Sequence, residues 1–96
     1  TKFPSTRRDL ALVLEHSVKF NEISAVAKKV GKGVIKDINL FDVYENEEQL
    51  GKNKKSYAVS FVFENPNKTM EDKEVEKIMK KLIYIYENDL GAVIRR

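Results

Sequence analysis

Large apolar residues recur at every second position in some stretches of the chain and at every third or fourth in others, and the switches between these periods mark out the elements. Over Arg8 to Leu14, bulky side chains stand at 10, 12 and 14, with Asp9, Ala11 and Val13 between them. That alternation predicts a first strand with one bulky and one lighter face. Phe20, Ile23, Val26, Ala27 and Val30 then fall at helical spacing. Gly31 and Gly33 end this helix, and Lys28, Lys29 and Lys32 lie where cations suit the helix dipole. A second strand is predicted from about Ile35 to Tyr44, and its period breaks. Ile38 and Leu40 share one parity, Phe41 and Val43 the other. A bulge near Leu40-Phe41 accounts for this and predicts Asp42 and Tyr44 on the face opposite Phe41 and Val43.

Glu45 to Lys54, with Gly51 and Asn53, reads as a long hairpin connection. Beyond it Tyr57, Val59, Phe61 and Phe63 alternate with Ser56, Ala58, Ser60 and Val62, the clearest strand in the chain. Asn65-Pro66-Asn67 closes it. A helix follows from about Glu71 to Asn88, with Val75, Ile78, Met79, Leu82 and Tyr86 as its apolar stripe and Thr69 with Asp72 as its predicted cap. Gly91 ends it before a short strand over Ala92 to Arg95.

The order is βαββαβ, which predicts a ferredoxin-like α+β fold: a four-stranded antiparallel sheet with two helices on one face. The helices would cover the bulky side. Ala11, Val13, Asp42, Tyr44, Ser56, Ser60 and Arg95 would fall on the open side, where small residues around an aromatic can receive a flat ligand. The fold does not choose that ligand.

With 96 residues the chain suits a single domain spanning 1–96. It opens on Thr1-Lys2-Phe3 without Met, as expected of a fragment of a longer protein. It holds no cysteine, which removes disulfides, thiolate metal sites and a cysteine nucleophile, and which fits a reducing compartment such as the cytoplasm. His16 is the one histidine, so no metal site is expected. No apolar run reaches the roughly 18 residues of a membrane span. A net charge of +3 permits a polyanionic partner without requiring one.

Four segments, taken together, carry a resemblance. They are Phe3-Pro4-Ser5-Thr6-Arg7-Arg8-Asp9-Leu10-Ala11, Leu40-Phe41-Asp42-Val43-Tyr44, Lys54-Lys55-Ser56-Tyr57-Ala58, and Asn65-Pro66 with Lys68-Thr69-Met70, Asp72 and Glu74-Val75. From Phe3 to Arg95 the chain resembles the ferredoxin-fold anticodon-binding domain at the C-terminus of phenylalanyl-tRNA synthetase β subunits. The resemblance implies binding of the anticodon stem-loop of a phenylalanine tRNA, with no catalysis and no cofactor in this domain. ATP and Mg²⁺ would serve the distant α subunit, and the partners would be the rest of the β chain and that α subunit in an (αβ)₂ synthetase. By position, Tyr44 would stack on an anticodon base, with Ser56, Asp42 and Ala11 along the same surface and Arg95 at its edge. Lysines of the 52–55 loop would meet phosphates, which orient RNA more than they read it.

The chain departs from the family pattern at Lys19, where proline is common, at Glu71, where threonine is common, and in the acidic run Glu45, Glu47, Glu48, which repels phosphate. Without the resemblance, Tyr44 reads as a strand-end aromatic, Ser56 as a solvent-facing strand residue, and Asp42 as a charge that discourages edge pairing. Three other functions share this topology. An RRM would carry Lys-Gly-Phe-Gly-Phe-Val on its third strand, where this chain has Lys55-Ser56-Tyr57-Ala58. An acylphosphatase-like enzyme needs glycine and arginine in the loop that here reads Glu15-His16-Ser17-Val18-Lys19. A ligand-sensing ACT-like module uses a glycine after the first strand, also absent.

Overall fold

The computed structural model describes residues 4–95, so Phe3, which opens the first motif, lies outside the described residues. The chain runs β1 (Thr6–Glu15), α1 (Phe20–Val30), β2 (Ile35–Tyr44), α2 (Glu47–Leu50), β3 (Lys54–Phe63), α3 (Asp72–Asp89) and β4 (Val93–Arg95). The four strands form one antiparallel sheet in the order β2-β3-β1-β4. The predicted ferredoxin-like arrangement is therefore present, with the one-turn α2 added inside the β2–β3 connection.

Alternation decides which face is covered. Leu10, Leu12 and Leu14 of β1 and Val59, Phe61 and Phe63 of β3 are buried together with Ile23 and Ala27 of α1 and Val75, Met79, Leu82 and Tyr86 of α3. These are the bulky strand positions and the helical stripes, so both long helices lie on the same side of the sheet. Tyr86 is fully buried, and its hydroxyl donates to the Ile23 carbonyl at 2.8 Å, which fastens α3 to α1. Burial pushes that phenol's pKa up.

Several local expectations change. The cap of α3 is Glu71, not Thr69: the Glu74 carboxylate accepts from the Glu71 N–H at 3.4 Å and from Lys68 Nζ at 2.9 Å. Glu22 does the same for Lys19 at the start of α1, at 2.8 Å. These carboxylates supply the helix starts that proline or threonine would otherwise favour. The β2–β3 loop gains α2 because Asn46 accepts from the Glu48 and Gln49 N–H groups at 2.9 and 3.3 Å, an N-cap that a reading for glycine and lysine overlooks. Tyr57, on the helix side of β3, is half-buried instead of fully enclosed.

The bulge in β2 falls at the predicted place. Leu40 pairs with Val59 and Asp42 with Ala58, so Phe41 is the extra residue. Its ring, however, is on the open face. The Arg7 guanidinium sits 5.3 Å from the Phe41 ring centre, and Arg7 shares parity with Asp9, Ala11 and Val13, opposite the buried leucines. The expectation that Phe41 points away from Asp42 and Tyr44 is therefore wrong. A bulge turns two successive residues partly to one side instead of keeping strict alternation.

Candidate nucleic-acid interface

The register of the sheet lays the open face out as rows running from β2 to β4. One row reads Tyr44, Ser56, Val13, Val93. The next reads Asp42, Ala58, Ala11, Arg95. A third, shorter row reads Asn39, Ser60, Asp9. With neighbouring strands about 4.8 Å apart, Asp42 and Arg95 stand about 14 Å apart at the two ends of a row whose middle is alanine. Tyr44, Ser56, Asp42, Ala11 and Arg95, singled out from the sequence, thus occupy two adjacent rows of one face.

The floor is made of small side chains. Ser56 is only 5% exposed and Ser60 4%, so the serines are recessed between larger neighbours. Ala58, which sequence reasoning placed on this face without assigning it a role, fills the gap between Asp42 and Ala11. Its alternation with Val59 was the available signal.

Tyr44 is 38% exposed and held at its hydroxyl. That hydroxyl donates to Gln49 Oε1 at 2.8 Å and accepts from Asn46 Nδ2 at 3.0 Å. Asn46 therefore works twice, capping α2 with its oxygen and steadying Tyr44 with its nitrogen. Tying down the ring's polar tip fixes the direction of its long axis and leaves ring carbon accessible. Beside it, α2 and β4 enclose a hollow of about 320 Å³ lined by Val13, Gln49, Leu50, Lys54, Val93 and Arg95.

Charge around the face differs from the sequence expectation in one respect. Of the lysines in the 52–55 loop, Lys55 is buried and donates to the Tyr57 hydroxyl at 2.9 Å on the helix side. Lys54 is paired with Glu15 at 2.6 Å. Only Lys52 is exposed and without an ion-pair partner among the described residues. Glu45 is paired with His16 at 2.8 Å, while Glu47 and Glu48 sit in the first turn of α2, where carboxylates suit the helix dipole. Asp42 and Arg95 have no ion-pair partner among the described residues, leaving an acceptor at one rim and a forked set of donors at the other.

The loop after β1 offers no free cradle of amides. The His16 N–H donates to the Asn53 carbonyl at 2.8 Å and the Val18 N–H to the Glu15 carbonyl at 3.0 Å. Among the described residues, no cluster of three or more histidines and carboxylates is placed to hold a metal ion.

Comparison with known families decides the assignment. The model of the family described as "Ferredoxin-fold anticodon binding domain" matches residues 1–95. The chain belongs to that family. Among the relatives of this anticodon-binding domain are phenylalanine–tRNA ligase beta subunits. That of Bacteroides fragilis is 46% identical over 95 residues, which is 99% of this chain and 12% of the relative. That of Porphyromonas gingivalis is 46% identical over 94 residues, 98% of this chain and 11% of the relative. That of Clostridium tetani is 39% identical over 94 residues, 98% of this chain and 12% of the relative. The anticodon-binding domain described here thus spans about 12% of the length of the relatives it matches.

Proposed function

We propose that this chain binds the anticodon arm of a phenylalanine tRNA across its open sheet face, as part of the β chain of a cytoplasmic phenylalanine–tRNA ligase. The observation that carries this reading is the gathering of Tyr44, Ser56, Asp42, Ala11 and Arg95 into two adjacent rows of one uncovered face, in a chain of the anticodon-binding family. Unpaired loop bases expose both a π face and hydrogen-bonding edges, and such a surface can use both. The Tyr44 ring, anchored at its hydroxyl, stacks on one base, a contact worth about 1–3 kcal/mol. The floor of Ser56, Ala58 and Ala11 lets that base lie close to the sheet. Asp42 accepts from an exocyclic amino group, and Arg95 donates to a base edge or a phosphate.

Chemistry takes place elsewhere in this reading. The domain holds the tRNA so that its acceptor end reaches the α subunit of an (αβ)₂ synthetase, where ATP and Mg²⁺ are used. Its contribution to rate is one of positioning.

The test is an NMR titration of the labelled chain with the anticodon stem-loop of phenylalanine tRNA and with the same stem carrying a scrambled loop. Shifts at Ala11, Asp42, Tyr44 and Ser56 are expected with the true loop alone. Tyr44→Ala should lower affinity by about 1–3 kcal/mol while the amide spectrum stays dispersed. Equal response to both loops, or response confined to lysines, would overturn the proposal.

A further inference from the structure

We propose that Phe41, with Arg7 over its ring, is a second base-stacking platform on the same face, taking a different nucleotide of the loop from the one that stacks on Tyr44. The inference rests on the anticodon reading above and extends it to a residue that reading does not use. Phe41 is 52% exposed, more than Tyr44, and lies on the open side of the sheet beside Asp42, following the alternation of the core-facing Leu40 before it and not the parity it shares with Val43. The bulge spends one ladder position to put it there: Asp42 takes the partner Ala58, and Phe41 is left without one.

Arg7 bears on the choice of occupant. It reaches Phe41 from β1, two strands away across β3, with its Nε donating to Asp9 Oδ1 at 2.8 Å. Its neighbour Arg8 turns the other way, to Glu76 and Asp72 of α3. One strand thus commits one arginine to the helices and holds the next over an exposed aromatic ring. A cation above such a ring is held weakly at an exposed site, less strongly than a nucleobase stacks on an aromatic. A base can therefore displace the guanidinium from the ring, and the guanidinium, still tethered by Asp9, is then beside the phosphate of the incoming nucleotide. A purely apolar partner would use Phe41 but would leave Arg7 without a role.

Spacing argues for two nucleotides. Tyr44 lies two regular strand steps, about 7 Å, from Asp42, and Phe41 lies beyond Asp42 at the bulge. Consecutive stacked bases along one strand are about 3.4 Å apart. The two rings are too far apart to sit within one base step, and Asp42 stands between them. The face therefore suits two bases splayed from the loop, with the Asp42 carboxylate reaching the edge of either.

The experiment is a coupling analysis with the chain and the phenylalanine tRNA anticodon stem-loop. Binding of wild type, Phe41→Leu and Tyr44→Ala is measured to the intact loop and to loops with a single abasic site at each position in turn. Leucine keeps an apolar side chain at the bulge and removes the π face, and amide spectra confirm that each variant is folded. Phe41→Leu should weaken binding to the intact loop by about 5- to 100-fold. That loss should vanish for an abasic site at one position, while the Tyr44→Ala loss vanishes at another. A Tyr44-dependent interaction that is indifferent to Phe41, or both losses vanishing at one nucleotide, overturns this proposal and leaves the anticodon reading standing. Binding indifferent to both residues and to loop sequence removes the anticodon reading, and this proposal with it.

Discussion

Replacing Gly31 by alanine probes how α1 hands the chain to β2, and with it how the open face acquires its register. Gly31 is buried, its N–H donates to the Ala27 carbonyl at 2.8 Å, and its own carbonyl accepts from Val34 and Ile35 at 2.9 and 2.8 Å. Its φ of −97° is ordinary for any residue, so alanine brings no backbone strain there. A Cβ, however, would run into Cδ1 and Cγ1 of Ile35 and stand 3.0 Å from its Cβ. Overpacking of this sort costs about 1–3 kcal/mol, and the stiffer unfolded chain returns about 0.4–1 kcal/mol of opposite effect. The expected net loss is about 1–2 kcal/mol. Ile35→Ala removes both colliding atoms and by itself costs about 2 kcal/mol, the low end for a residue that is only half-buried. The double variant should then be less destabilised than the sum of the singles by at least about 1 kcal/mol. Urea unfolding of the four proteins measures this directly, with stability taken by linear extrapolation. Gly33→Ala supplies the contrast: φ is +85° and nothing lies within 4 Å, so its cost of about 1–2 kcal/mol is conformational and uncoupled from Ile35. A Gly31→Ala protein as stable as wild type, or singles that add to within about 0.5 kcal/mol, would refute the clash as the reason for glycine at this junction.

Further outcomes follow from burial and charge. Phe61→Ala should cost about 3–5 kcal/mol, and Tyr57→Ala clearly less because its ring is only half enclosed, a ranking that thermal or urea unfolding resolves. Lys68, and next the Glu71 N–H, hold the Glu74 carboxyl below its usual value of 4.5. Its stabilisation is therefore present above 4.5 and drains away as pH falls through the lower folded value. Glu74→Gln should flatten the acid limb of a stability profile run from neutral pH past 4.5, and an unchanged acid limb would show that titration of this carboxylate, held down first by Lys68, contributes nothing to stability.

Much of this molecule could be read from the chain because period and burial coincide. Leu10, Leu12 and Leu14, or Val59, Phe61 and Phe63, leave one solution for which side meets the helices, and Ala11, Ser56 and Tyr44 then follow onto the other side. The bulge was legible as well, from the change of parity after Leu40. The direction of Phe41 was not, because a bulge breaks the parity between two residues, and Phe41 keeps the alternation of Leu40 before the break, not that of Val43 after it. Lys55 illustrates the other kind of loss. Its place in the 52–55 loop suggested a phosphate contact, yet the half-buried Tyr57 gives its ammonium a hydroxyl and a ring to rest against, at 2.9 Å and 4.6 Å. Long amphipathic side chains settle such matters by local packing that sequence spacing does not encode.

β3 is hydrogen-bonded on both sides, to β1 over Thr6–Glu15 and to β2 over Ile35–Tyr44. Amides in such a position belong to the most protected part of a fold, so Ser56 and Ala58 sit where local opening costs most. Tyr44 and Phe41 stand instead on a strand bonded to a single neighbour and interrupted by a bulge, next to one turn of helix. The surface is thus a rigid floor with adjustable walls on one side. In the proposed complex, a loop of different shape would be met by movement of β2 and α2 before any movement of the floor.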